Sequence, residues 1–302
     1  MSARTAGSIV SSCPARAALA GNPSDGYGGA VVAVPVDDLT AVASVEPADD
    51  FRIVGGLGTA LERLLRATAA SFAEHTGTAP PAVALSATTT IPRSVGLAGS
   101  SALIVATLRA LSACCGHAFE PIELAELALR TERTRLGVEA GLQDRLVQAV
   151  GRPLAMTFDP VGFDVLDPPA DLPLFVAWRA SEAQTSDVVH RSLRRRFDAG
   201  DEHVRASMAG LAEQGHRAAS AVRAGDLNEL GAAMSRTFEI RSMMIDIDAT
   251  TAELVRTSVR AGAVANSAGS GGSIVGLARD DAHVTRVESA FVSIGAEFRA
   301  LV

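Results

Sequence analysis

Three short stretches gather the groups that can do chemistry. PRSVGLAGSSAL, residues 92 to 103, sets Gly96 and Gly99 among Pro92, Leu97 and Ala98, and ends on Ser100, Ser101 and Ala102 where a long apolar segment begins. Glycine lets successive backbone N–H groups turn inward, and a helix start adds partial positive charge, so such a loop can cradle phosphate without a lysine. A serine-capped helix after a glycine turn is the plainer reading of the same residues. NSAGSGGSIVGL, residues 266 to 277, places Gly269, Ser270 and Gly271 between two strand-like runs. It can bring a second backbone to the same ligand, or form only a flexible hairpin. GNPSDGYGG, residues 21 to 29, offers Asn22, Ser24 and Asp25 as hydrogen-bonding groups. Pro23 stiffens them, Tyr27 adds a flat ring, and Gly28 with Gly29 relieves crowding, in a binding mouth or in an Asx turn.

The elements that must position these loops follow from periodicity. Residues 8 to 46 read as short β-branched and alanine-rich strands, broken by the GNPSDGYGG stretch. TALERLLRATAASFAEHTG carries apolar residues at helical spacing and ends on Gly77, and AVALSATTTIP alternates as a strand up to Pro92. SALIVATLRALSACCG is apolar almost all round, as a buried helix is, with Cys114 and Cys115 expected in the core. Helices over about 120–132 and 139–150 and a strand PLAMTF complete the first half. The proline-rich run VGFDVLDPPADLP, residues 161 to 173, is the expected seam. A strand, several helices and a helix, strand, glycine loop, strand, helix, strand ending make an α+β second half.

Composition narrows the partners. The 302 residues are 48% apolar, ample for a sizeable core, and the net charge is −7. Dispersed acids argue against nucleic acid or an anionic membrane as partner and favour a small molecule. All 27 basic residues are arginine, which excludes a lysine-bearing phosphate loop and any Schiff-base mechanism. Three cysteines make no even framework, no run reaches the roughly eighteen apolar residues of a membrane span, and no signal pattern opens the chain. A cytoplasmic setting is the expectation. The six histidines show no metal-ligand spacing.

The order NPSDGYGG, PxxxGLAGSSA, GSGG resembles the GHMP kinases, whose middle motif PxxxGLGSSA is here lengthened by Ala98. IPRSVGLAGSSA, TERTRLGVEAGLQDRLVQ, SDVVHRSLRRRFDAGDE and GAVANSAGSGG, together with GNPSD, are similar to the plant-type glucuronokinases over nearly the whole chain. The resemblance implies a two-lobed α+β fold. Residues 1–165 would form a ribosomal-S5-like N-terminal lobe and 166–302 a ferredoxin-like helical C-terminal lobe. It implies phosphoryl transfer from ATP with magnesium (Mg2+) to a sugar hydroxyl, with glucuronate the leading acceptor.

Asp144 in GLQDR matches the family's catalytic aspartate, as a base or as an electrostatic aid. Arg16, in CPAR, would pair with Asp144 or steady the transferring phosphoryl group; a structural ion pair is equally open. Glu132 and Ser101 resemble the magnesium-side residues, and the glycine loops would hold the nucleotide. GNPSDGYGG becomes the acceptor site, with Asp25 taking sugar hydroxyls. Arg194 and Arg196 are the candidates for a uronate carboxylate, against the plainer reading of a solvated helix face. Two other classes fit parts of the sequence. FRIVGGLGTALERL looks like a dinucleotide-binding turn but has Leu61 where the third glycine belongs and no acid about twenty residues on. A non-catalytic sensor on the same fold differs only in turnover.

Overall fold

The computed structural model describes residues 7–169, 171–179 and 186–301. The chain opens with two long antiparallel strands, β1 (Ile9–Ala20) and β2 (Ala30–Pro47), joined through a 3-10 turn at Ser24–Tyr27. β2 is the spine of the first sheet. It also pairs with β4 (Val83–Thr89) and β5 (Leu154–Phe158), while β3 (Arg52–Ile53) and β6 (Val161–Val165) form the edges. Helices α1 (Ala60–Thr76), α2 (Gly99–Cys115), α3 (Pro121–Arg130) and α4 (Gln143–Val150) belong to this half. The second sheet is antiparallel in the order β10 (Glu297–Leu301), β7 (Leu174–Trp178), β9 (Ser273–Leu277), β8 (Val264–Ser267). Its helices are α5 (Ser186–Asp198), α6 (Glu202–Ala224), α7 (Leu227–Met244), α8 (Ala249–Arg260) and α9 (Asp281–Ser293). The result is the two-lobed α+β architecture that the resemblance implies.

Two features of the core fix the site. α2 is buried almost all round, with Ile104, Leu108 and Leu111 fully enclosed, each contributing about 1.5–3 kcal/mol. Its N-terminus is therefore held at a set point. In β1 the run Ala15–Ala20 is buried on both faces rather than alternating, because α2 packs on it along with α6 and α7 from the second half. Alanine side chains are short enough to let both layers approach. Ala18 N donates to Ala268 O at 3.0 Å, and Asn266 Nδ2 donates to the carbonyls of Ala18 and Leu19, so the two halves are joined along this strand.

Several expectations change. VGFDV pairs with β5 as β6, so the connection between the sheets begins only after Val165. The helix expected from 120 ends at Arg130 and passes into a π-helical turn, Thr131–Leu136; the next helix starts at Gln143, leaving 137–142 as a loop. Cys114 and Cys115 are exposed, because the last turn of α2 projects beyond the layer that covers its middle. β3 and β4 are parallel and joined through α1, a crossover the sequence did not show, but β3 has two residues and β4 carries no acid. Among the described residues no helix is long and apolar enough to cross a membrane.

Candidate active site

A cleft of about 670 Å³ opens where α2, β1, α4 and the loop between β8 and β9 converge. In the loop before α2, Ser94, Gly96 and Ala98 all take left-handed backbone angles, with φ of 57°, 74° and 61°. Ala98 is the N-cap, yet it can supply no side-chain acceptor, so the first N–H groups of α2 have no capping side chain. Such a terminus is satisfied by an anion. The two glycine loops touch: a Cβ on Gly96 would lie 2.8 Å from Gly271 O and 2.9 Å from Ser270 N. One on Gly269 would lie 2.1 Å from Gly96 O.

Arg16 on β1 ties this junction to the chemistry. Its Nη1 donates to Gly96 O at 2.8 Å and Ala268 O at 3.1 Å, and its Nε donates to Asp144 Oδ1 at 2.5 Å. Asp144, in the first turn of α4, also receives Arg145 Nη1 at 3.3 Å. Arg145 Nε and Nη2 both donate to Glu132 Oε2, the former at 2.6 Å, and Ser100 Oγ donates to Glu132 Oε1 at 2.8 Å. Burial disfavours the Arg145 charge, but Glu132 and Asp144 outweigh it and hold its pKa above the ordinary value. Glu132 itself is fully enclosed, on the π-helical turn that bends the chain after α3.

Asp25 projects from the 3-10 turn into the same cleft and accepts from Gln143 N at 3.4 Å and Gln143 Nε2 at 3.2 Å. Burial, and then the neighbouring Asp144 charge, push its pKa up to about 6 from 3.8. The folded state therefore holds this proton more tightly than the unfolded chain does. Stability falls as pH rises from about 4 to about 6, by about 3 kcal/mol in full, and stays lower above that window. Asp25→Asn is expected to remove this fall. Urea unfolding of both proteins at pH 4 and pH 7 measures it, and equal pH dependence in the two would mean that Asp25 does not carry it.

The structure brings Arg16, Asn22, Asp25 and Asp144 together at the cleft. Pro92, Gly96, Leu97, Ala98, Gly99 and Ser100 line it from one loop, and Gly269 and Ser270 from the other. Other expected residues point elsewhere. Ser101 is fully buried and donates back to Ala98 O at 3.0 Å, and Ala102 lies in the core; one residue of helix rotates a side chain by about 100°, so Ser100 faces Glu132 instead. Gly271 borders a small second cavity beside Asp248. Ser24 Oγ is spent on Ala30 O, and Gly28 caps the 3-10 turn with φ of 79° beside Asp159. The Asn22 side chain is engaged at the seam, with Nδ2 on Ser267 O and Oδ1 accepting from Asn266.

Tyr27 packs on Phe197, ring centroids 4.7 Å apart, rather than into the cleft. Arg194 covers that ring and donates to Asp198 and to Gly26 O. Arg196 pairs with Asp201, the N-cap of α6. Neither arginine lines the cleft.

The cleft is also lined by residues outside the candidate set, four of them polar or charged groups close to the chemistry or to the phosphate loop. Gln143 and Arg145 flank Asp144 in the GLQDR stretch, so their signal lay in the motif itself. Arg241 on α7 and the exposed Arg93 bring further positive charge. At the far end, Leu61, Leu64, Ile91 and Leu103 make an apolar wall. Away from the cleft, His75, His117 and Glu123 hold ligand atoms within 4.8 Å of one another, a proximity no spacing announces. His75 is already 2.8 Å from Glu123 and faces Arg130 with its other nitrogen.

Comparison with known proteins gives a consistent picture. The family described as the GHMP kinases N terminal domain matches residues 63–152. "Probable glucuronokinase 2" of Arabidopsis thaliana is 31% identical over 300 residues, covering 86% of this chain and 82% of that protein. "Glucuronokinase 1" of the same plant is 30% identical over 303 residues with the same coverage. Among solved structures, Lactococcus lactis galactokinase complexed with galactose superposes with a TM-score of 0.82 over 98% of this chain and 93% of that one, at 16% identity.

Proposed function

The chain belongs to the GHMP kinases and is a small-molecule kinase, and from that premise we propose that it transfers the γ-phosphoryl group of ATP to the anomeric hydroxyl of glucuronate, giving glucuronate 1-phosphate. The observation that carries the chemistry is the Arg16–Asp144 pair, 2.5 Å apart, set between the two glycine loops and Asp25. The choice of acceptor is supported by identity of 30–31% to glucuronokinases over 82% of their length.

The chain's own groups divide the work. The uncapped start of α2 and the backbone of the two glycine loops receive the phosphates, and the apolar wall of Leu61, Leu64, Ile91 and Leu103 takes the base. Of the pair that would hold a magnesium ion through hard oxygens, Ser100 lines the cleft and Glu132 is enclosed behind it, its Oε1 accepting from Ser100 and its Oε2 from Arg145. When bound, that ion neutralises phosphate charge. Asp144 accepts the acceptor's hydroxyl proton or stabilises the charge that develops on it. Arg16 remains charged throughout and holds Asp144 in place. Asp25 accepts a sugar hydroxyl, and Gln143 orients its carboxylate.

The test is ADP release from ATP and magnesium with glucuronate, galacturonate, galactose, arabinose and mevalonate in turn, followed by phosphorus NMR of the product. Glucuronate is expected to exceed every other acceptor in kcat/KM by about tenfold or more, with the phosphate on the anomeric carbon. Higher efficiency with galactose or mevalonate would replace the acceptor while leaving the kinase assignment in place. Absence of ADP release with all five would favour a sensor on this fold.

A further inference from the structure

Arg241 is a cation set within an apolar helix face. On α7 the buried positions Leu230, Met234, Thr237, Arg241 and Met244 follow at intervals of four and three, the spacing of one side of a helix. The side chain is nearly enclosed, at 4% exposure, yet it lines the cleft. Nη2 donates to Gly269 O at 2.8 Å and Nη1 to Asn22 O at 3.4 Å, while the buried Nε has no hydrogen-bond partner. Both acceptors are neutral carbonyls. Among the described residues Arg241 forms no ion pair, whereas Arg16 and Arg145, the other buried arginines of the cleft, each hold a carboxylate.

A guanidinium held this way is costly unless an anion meets it. Burial, and then the charge of Arg16, push its pKa down to about 10, with Asp25 acting in the opposite direction; it remains a cation at neutral pH. Arg241 also borders the small second cavity, with Asp246 and Asp248 in its lining, but among the described residues neither acid forms an ion pair with it, and Asp248 caps α8 by accepting from Thr251 N at 2.9 Å. The cleft, at about 670 Å³ against about 40 Å³ for the second cavity, is the side with room for an anion larger than a few atoms.

We infer that Arg241 receives the carboxylate of an acidic acceptor and thereby sets the preference for a sugar acid over a neutral sugar. The inference rests on the uronate reading above. Its position favours the acceptor over the nucleotide: Asn22, whose carbonyl it touches, opens the turn that carries Asp25. One bound sugar can then give a hydroxyl to Asp25 and its carboxylate to Arg241. On the phosphate side, Arg16 and the start of α2 already supply donors. Arg241 takes the role first expected of Arg194 and Arg196, which face Asp198 and Asp201 instead.

Steady-state kinetics with glucuronate and with glucose, at saturating ATP, compare the parent with Arg241→Gln and Arg241→Lys; calorimetry gives the ADP affinity of each. The parent is expected to prefer glucuronate by about thirtyfold or more. In Arg241→Gln the glucuronate kcat/KM should fall about a hundredfold, mostly through KM, and the preference should shrink below about threefold, with ADP affinity within about threefold of the parent. Arg241→Lys keeps the charge but loses the planar fork, so about a tenfold loss is expected.

A preference unchanged in Arg241→Gln overturns the inference. So does an unchanged preference accompanied by weakened ADP binding, which would give Arg241 to the phosphates. Should the glutamine variant fail to fold, the lysine variant decides by the same ratio. A parent that ignores glucuronate sinks the acceptor before any variant is compared, whereas a parent that prefers it with a ratio insensitive to residue 241 sinks only the role of Arg241.

Discussion

Replacing Asp144 with asparagine should lower turnover by about a hundredfold or more while leaving nucleotide affinity within about threefold of the parent. The two side chains have nearly the same shape, so the cleft keeps its outline. What changes is charge and hydrogen-bond direction. Asp144 meets a donor at each oxygen, Arg16 Nε at Oδ1 and Arg145 Nη1 at Oδ2; an amide offers one acceptor and must turn its NH2 toward a guanidinium. The carbonyl oxygen will keep the shorter contact with Arg16, and the weaker 3.3 Å contact with Arg145 will be lost. A stability loss of about 1–2 kcal/mol accompanies this. The chemical consequence is larger, because neither proton acceptance nor a negative charge remains beside the acceptor hydroxyl. Single-turnover rates and ADP titration separate the two effects. Turnover within about threefold of the parent would remove Asp144 from the mechanism.

Gly96→Val should damage nucleotide binding far more than Gly99→Val, although both glycines sit in the same motif. At Gly96 the backbone is left-handed, with φ of 74°, and an added Cβ would meet the backbone of the opposite loop at 2.8 and 2.9 Å. Valine therefore carries a conformational cost and a clash with atoms that cannot swing away. Gly99 begins α2, and there the nearest obstacle is Ile91 Cγ2 at 3.3 Å, the end of a side chain that can give. The expected result is a loss of about 3 kcal/mol or more in stability and at least about a hundredfold in ADP affinity for Gly96→Val. Smaller losses on both scales are expected for Gly99→Val. Melting temperature and calorimetric titration of the pair measure this. Parent-like ADP binding by a folded Gly96→Val protein would mean that contact between the loops does not shape the nucleotide site.

These cases show what a one-dimensional reading can and cannot reach. The glycine loops were legible because the need for close backbone approach restricts residue type, and Gly96 and Gly269 meet that need. Asp144 and Glu132 were singled out by the motifs around them, and the structure joins the two through Arg145. Which of Ser100 and Ser101 faces Glu132 was not legible, since adjacent serines differ only in helix phase. Tyr27, Arg194 and Arg196 have side chains suited to a sugar acid, but residue type carries no direction, and Phe197, Asp198 and Asp201 claim them locally. Arg241 lies outside every motif. Its signal was a cation at an apolar helical position, a pattern visible in MSRTFEIRSMM once the buried face of α7 is known. β6 was hidden because the prolines after it make the whole run look like a connection.

The alanine run of β1 has a further consequence for how the protein moves and fails. Within five residues the same strand carries the side chain that grips Asp144, the amide that bonds to Ala268 and the carbonyls held by Asn266. Arg16 N donates besides to Leu97 O at 3.3 Å, so the strand is also the rail on which the loop before α2 rests. The lobes therefore cannot part along this strand without pulling on Arg16, which bonds both to Asp144 and to Ala268 O. Heat that loosens the seam should disturb the Arg16–Asp144 pair in the same event, because one strand carries both sets of bonds.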